Sequence, residues 1–245
     1  DMNAKMAAGN GFIAALDQSG GSTPKALAGY GIEAGAWGND EEMFGLIHDM
    51  RSRIISSPSF ASGKVIGAIL FERTMDGEVG GKPTPQALIE RGVVPFIKID
   101  KGLEDEANGV QLMKPMPDLD ALLVRSKALG VYGTKERSVI NSANAEGIAA
   151  IVAQQFEVGR QVLSHGMMPM LEPEINIKSE TRAECDALML EAILKNLEGM
   201  SEQVMLKLSL PVKPGLFDPL VDHPKVLRVV ALSGGYKRPE ACVEL

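Results

Sequence analysis

The stretch "QVMLKLSL" (203–210) reads as a buried strand except for one letter, Lys207. Lysine is among the residues least often buried. Side chains alternate across a strand, so Met205, Lys207 and Ser209 share one face and Leu206, Leu208 and Leu210 the other. An unbroken leucine face packs on helices, which turns Lys207 to the opposite side. The same oddity recurs in "PFIKID", with Lys98, and in "YGTKERSV", with Lys135.

Outward from this stretch, short apolar runs alternate with longer amphipathic segments. Strands are expected at 11–17 (GFIAALD), 64–71, 93–100, 131–139, 167–175, 203–210 and 226–235. Helical spacing is expected over 40–55, 119–130, 181–199 and the long segment ending at Gly166, where Ile148, Ile151, Val152, Phe156 and Val162 follow a 3.6-residue period. The stretch "MDGEVGGKPTPQ" (75–86) reads as a surface loop. Seven strands alternating with helices imply a parallel α/β sheet with right-handed crossovers. A doubly wound sheet would carry a phosphate loop after its first strand. The only "GNG" (9–11) precedes that strand, so a (β/α)8 barrel fits better, one strand short. No composition break marks a second domain, and residues 1–245 are expected to form one barrel domain.

The charge pattern bounds the partners. Net charge is −7 over 245 residues, with 45% hydrophobic and 23% charged residues. An acidic chain argues against nucleic acid or an anionic membrane as partner, but not against an anionic small molecule at a local cluster of lysines. No apolar run approaches the roughly 20 residues that span a bilayer, no signal peptide is evident, and a cytoplasmic protein is expected. Cys185 and Cys242 are far apart and are expected to be free thiols in a reducing compartment. His48, His165 and His223 are isolated, without the clustering a zinc site needs, so no metal and no cofactor is expected.

Alternation in the other strands groups Phe96, Lys98 and Asp100; Gly133, Lys135 and Arg137; and Met170, Glu172 and Glu174, while Asp17 and Ser233 close their strands. These polar residues are placed toward the C-terminal ends of the strands, where barrel enzymes keep their active sites. As plain structure they would be a costly ion-pair network in the core. As a site they suggest imine chemistry. A lysine held among cations in a partly dry pocket has its pKa lowered, and the free amine can attack a ketone. Glu172 is the leading proton shuttle and Asp17 a second acid/base. Several cations near Gly-rich turns fit a phosphorylated ketose. The "SGG" at 233–235 can offer N–H groups to a phosphate at a helix start.

Taken in order, "AALDQSGGSTPKAL", "VPFIKIDKG", "KERSVI", "PMLEPEI", "VMLKLSL" and "VVALSGGY" resemble class I fructose-1,6-bisphosphate aldolase over essentially the whole chain, and the Gln-Ser-Gly-Gly form resembles its bacterial branch. The resemblance implies a TIM barrel that cleaves fructose 1,6-bisphosphate to dihydroxyacetone phosphate and glyceraldehyde 3-phosphate without metal. It implies Lys207 as the Schiff-base lysine, Glu172 as acid/base with Glu174 its neighbouring carboxylate, and Asp17 as the group involved in C3–C4 cleavage. Lys135 is implied in carbinolamine chemistry, with Arg137 and Lys98 as further active-site cations. Ser233 and Gly234 match the loop that binds the C1 phosphate, and Ser22 the contact to the other phosphate. The family continues with an eighth strand and helix, whose Ser-Arg pair serves the C1 phosphate. That segment is not among the 245 residues, so the expected barrel lacks its eighth strand and helix and has parallel edges at its first and seventh strands. Two rivals stay open at this point. One is another Schiff-base barrel acting on a monophosphate sugar, which would not need two phosphate regions. The other is a barrel that has lost catalysis and serves as a binding protein, although such a loss would erode the polar set that is present here. The oligomeric state, a homo-oligomer included, is open.

Overall fold

The computed structural model describes residues 1–244. The chain clusters into two compact units, one of Asp1–Lys98 with Ala121–Gly133, the other of Ile99–Asp120 with Thr134 onward.

In the first unit β1 (Phe12–Leu16), β2 (Val65–Leu70) and β3 (Val94–Lys98) pair in parallel, with Leu16 opposite Leu70 and Leu70 opposite Ile97. Every residue of β2, VIGAIL, is buried, as expected of a parallel strand covered on both faces. Around them lie α1 (Met2–Ala8), α2 (Thr23–Gly29), α3 (Asp40–Ser56), α4 (Glu72–Asp76), α5 (Thr84–Glu90) and α6 (Leu119–Ala128). Helix α3 starts at a capped turn: the Asn39 side chain accepts from Glu42 N at 2.9 Å, and Glu42 accepts from Gly38 N, one residue before the cap, at 2.7 Å. Its buried face carries Met43, Ile47, Met50 and Ile55, with Arg51 among them.

The loop expected at 75–86 is a correction. Met75 and Asp76 end α4, a two-rung hairpin pairs Glu78–Val79 with Lys82–Pro83, and α5 begins at Thr84. Pro85 sits in the first turn of α5, where a missing N–H costs nothing, and Ala87 and Leu88 bury the helix. The Gly-Gly-Lys-Pro run turns the hairpin instead of marking an unstructured span.

In the second unit β4 (Gly133–Ile140), β5 (Met168–Ile175), β6 (Val204–Ser209) and β7 (Val226–Leu232) follow one another in the sheet. Strand β6 pairs in parallel with β5 at Met170 and Leu171 and with β7 from Val226 to Leu232. The covering helices are α7 (Ala145–Ser164), α8 (Arg182–Leu197), the short α9 (Asp218–Val221) and α10 (Arg238–Glu244). The leucine face behaves as expected: Leu206 and Leu208 share one buried cluster with Cys185, Met189, Ile193 and Leu197 of α8. Burying a side chain of this size is worth roughly 1.5–3 kcal/mol, which fixes the strand's facing. Cys185 and Cys242 are free thiols, the first buried and the second exposed.

Candidate active site

With its leucines committed to α8, β6 presents Lys207 on the other face. There the Lys207 Nζ donates to Glu172 Oε1 at 2.7 Å, and the Lys135 Nζ stands 3.0 Å from Glu172 Oε2. One carboxyl from β5 thus takes an ammonium on each oxygen, from β4 and from β6. Glu172 and Lys135 are each 3% exposed, while the Lys207 side chain keeps 14% of its surface. The nucleophile candidate is therefore the member of the trio with access, and the Glu172 carboxyl can exchange a proton with it across their hydrogen bond while Lys135 holds the other oxygen as an ion pair.

A second pair lies farther along the same strands. Arg137 Nε donates to Glu174 Oε2 in a close ion pair, and Arg137 N donates to Asp100 Oδ2 at 3.0 Å. Burial lowers the Arg137 guanidinium, but the Glu174 bond and the surrounding carboxylates outweigh it, so it is held above its ordinary value. Ser209 does not open toward this face as a free hydroxyl. It donates to Ile175 O and accepts from Ile175 N, both at 3.1 Å, and so ties the ends of β5 and β6.

Lys135 departs from the expected placement at the C-terminal end of its strand. Strand β4 runs 133–140 rather than 131–139, because Val110 and Gln111 pair antiparallel with Ile140 and Val139 and prolong the ladder. Lys135 is then the third of eight residues. Ser233 and Gly234 also differ. They do not lie at a helix start, since α10 begins at Arg238. Gly234 and Gly235 have φ of +66° and +105°, which wind the chain into a turn closed by Tyr236 N donating to Ser233 O at 3.3 Å. A Cβ at Gly234 would meet Ile177 Cγ2 at 2.6 Å, so both conformation and space demand glycine.

The remaining expected site residues belong to the first unit. Asp17 is buried directly after β1, Lys98 is the last residue of β3 and half-buried, and Ser22 is exposed at the N-cap of α2. The Ser22 hydroxyl is engaged within its own turn, accepting from Ser19 N at 3.2 Å and contacting Ser19 O at 3.3 Å. Sequence reasoning missed two buried polar residues, Arg51 and Glu136. Arg51 had a signal: it sits four residues from both Ile47 and Ile55, on the apolar stripe of α3. Glu136 had none, since alternation merely puts it opposite Lys135.

The fold and this trio of side chains can be set beside known proteins. The family model of class I fructose-bisphosphate aldolase (glycolytic) matches residues 2–217. The chain belongs to the class I fructose-bisphosphate aldolases. The class 1 fructose-bisphosphate aldolase of Porphyromonas gingivalis is 54% identical over 232 residues, which cover 94% of this chain and 79% of that one. A ternary co-crystal structure of fructose-bisphosphate aldolase from Plasmodium falciparum with TRAP and a small molecule inhibitor superposes with a TM-score of 0.79. It is 21% identical, covers 99% of this chain and 77% of that one, and so speaks to the fold alone. The fold is that of the class I aldolase TIM barrel, of which the described residues form seven β/α units. The aldolase family reading also makes the enzyme a metal-independent, Schiff-base lyase acting on a phosphorylated sugar.

Proposed function

We propose that Lys207 is the imine-forming residue of this aldolase and that Glu172 and Lys135 serve it. The observation that carries the reading is the single carboxyl of Glu172 held between the two ammonium groups. Lys207 gives a proton to Glu172 across their 2.7 Å hydrogen bond and, as the free amine, attacks C2 of open-chain fructose 1,6-bisphosphate to form a carbinolamine. Glu172 delivers the proton with which the C2 hydroxyl leaves as water, and the Lys135 charge stabilises the oxygen as it departs. The resulting iminium draws electrons from the C3–C4 bond while Asp17 takes the C4 hydroxyl proton. Glyceraldehyde 3-phosphate leaves, the enamine gains a proton at C3, and water releases dihydroxyacetone phosphate from Lys207.

Ser233 and Gly234 take the C1 phosphate on the backbone of their turn, and Ser22 the other phosphate. Lys98, Arg137 and Glu174 contact the sugar chain and its charges. Residues 1–245 act as one barrel domain, and a cytoplasmic location goes with the glycolytic reaction. The test is chemical trapping. Borohydride reduction in the presence of fructose 1,6-bisphosphate should leave one adduct, on the peptide that carries Lys207, and K207M should lose both adduct and cleavage. An adduct on any other lysine, or none on the parent, refutes the assignment.

A further inference from the structure

Arg51 is fully buried on the face of α3 where Ile47, Met50 and Ile55 supply the packing. Its Nη1 donates to Thr74 Oγ1 at 2.8 Å. Its Nη2 donates to the backbone carbonyl of Gln18 at 2.7 Å and reaches the Gln18 side-chain oxygen at 3.4 Å. The Nε is left without a hydrogen-bond partner. Burial lowers the guanidinium to about 10, against an opposing attraction from Asp17. A methionine of similar length would satisfy the packing without this desolvation cost. The position therefore serves something other than the apolar stripe.

What the guanidinium grips is the residue directly after Asp17. From the other side Thr23 Oγ1 reaches the same Gln18 carbonyl at 3.4 Å and donates to Ser19 O at 2.8 Å. The turn that follows β1 is thus clamped at Gln18 between α3 and the start of α2, and a positive charge stands where it attracts the Asp17 carboxylate. We propose that Arg51 is a positioning residue for Asp17, fixing the Asp17–Gln18 turn so that the carboxylate is aimed at the C4 hydroxyl during C3–C4 cleavage. This rests on the role given to Asp17 above. Arg51 touches no reacting atom. It acts on bond cleavage through Asp17 and leaves imine formation on Lys207 alone.

Two readouts on the full chain separate those steps. Steady-state cleavage of fructose 1,6-bisphosphate reports the whole reaction. Borohydride trapping with dihydroxyacetone phosphate reports imine formation without any carbon–carbon cleavage. R51M should lose about a hundredfold in kcat, the scale of a misplaced catalytic group. Its KM should stay within about threefold, as for loss of an interaction that matters only in the transition state. Trapping with dihydroxyacetone phosphate should match the parent, and R51K, which keeps the charge but not the fork, should recover about tenfold of the lost kcat. R51M cleaving within about twofold of the parent overturns the proposal. So does a parallel loss of trapping and cleavage, which marks a structural role only. Should R51M fail to fold, R51K alone reads the same split: slowed cleavage with parental trapping supports the proposal, and parallel loss or no loss overturns it. A parent that neither traps nor cleaves sinks the Lys207 assignment and this inference together. A parent that does both while the variants match it sinks this inference alone.

Discussion

Glu172 meets Lys207 and Lys135 because three consecutive strands each put an odd charged residue on the same side of the sheet. That placement was legible residue by residue from alternation alone, as the buried leucines of β6 confirm. The chemistry of Glu136, one position from Lys135, was not. It is fully buried with its Oε2 accepting from Thr134 Oγ1 at 3.0 Å and its Oε1 unpartnered. Burial pushes its carboxyl well above the ordinary range, with the charges of Asp100 and Glu172 adding to the effect and Thr134 and Lys135 opposing it. The neutral form is thus the one that fits the fold. Where a carboxyl's folded pKa is raised, its stability contribution is fullest below the unfolded pKa of 4.5 and declines as pH rises toward the folded value. E136Q, which cannot ionise and supplies a donor, should therefore melt on the order of 5 °C above the parent at pH 7.5. The gap should close below about pH 4.5, where both side chains are neutral. Thermal melts across that window check it, and a constant gap would refute it.

At the scale of elements, the long apolar period over 145–164 became one twenty-residue helix, α7, capped by Asn144 accepting from Gly147 N at 2.8 Å. What the period could not show is why a glycine stands in its first turn. A Cβ on Gly147 would lie 2.1 Å from Asn108 O, so the segment between β3 and α6 packs directly on the helix backbone. G147A should gain local helix propensity yet lose roughly 1–3 kcal/mol overall through that clash. Chemical denaturation measures the loss, and an unchanged or raised midpoint would remove the close contact as an explanation. The misread span at 75–86 has a related cause. Turn-forming residues announce a reversal, but only the burial of Ala87 and Leu88 shows that a helix starts within it. The extension of β4 to Ile140 likewise depends on a partner some thirty residues earlier.

For the molecule as a whole, membership of the class I aldolases predicts that no metal is consumed or held in turnover. Cleavage of fructose 1,6-bisphosphate by the full chain should be unchanged by EDTA, and so should the reduced adduct on Lys207. Activity lost to chelation and restored by a divalent ion would contradict this. By itself the sequence determined the order of the seven sheet strands, the four longer helices α3, α6, α7 and α8, the facing of β4, β5 and β6, and the motifs of the family, because periods of 2 and 3.6 are local and burial of leucines decides which side faces in. Only the tertiary structure decided which carboxyl lies between which lysines, that Arg51 closes on the turn after Asp17, and that Glu136 is sealed from water. Those facts rest on distances between residues remote in the chain and on the water excluded around them, and neither quantity has a local periodicity to betray it.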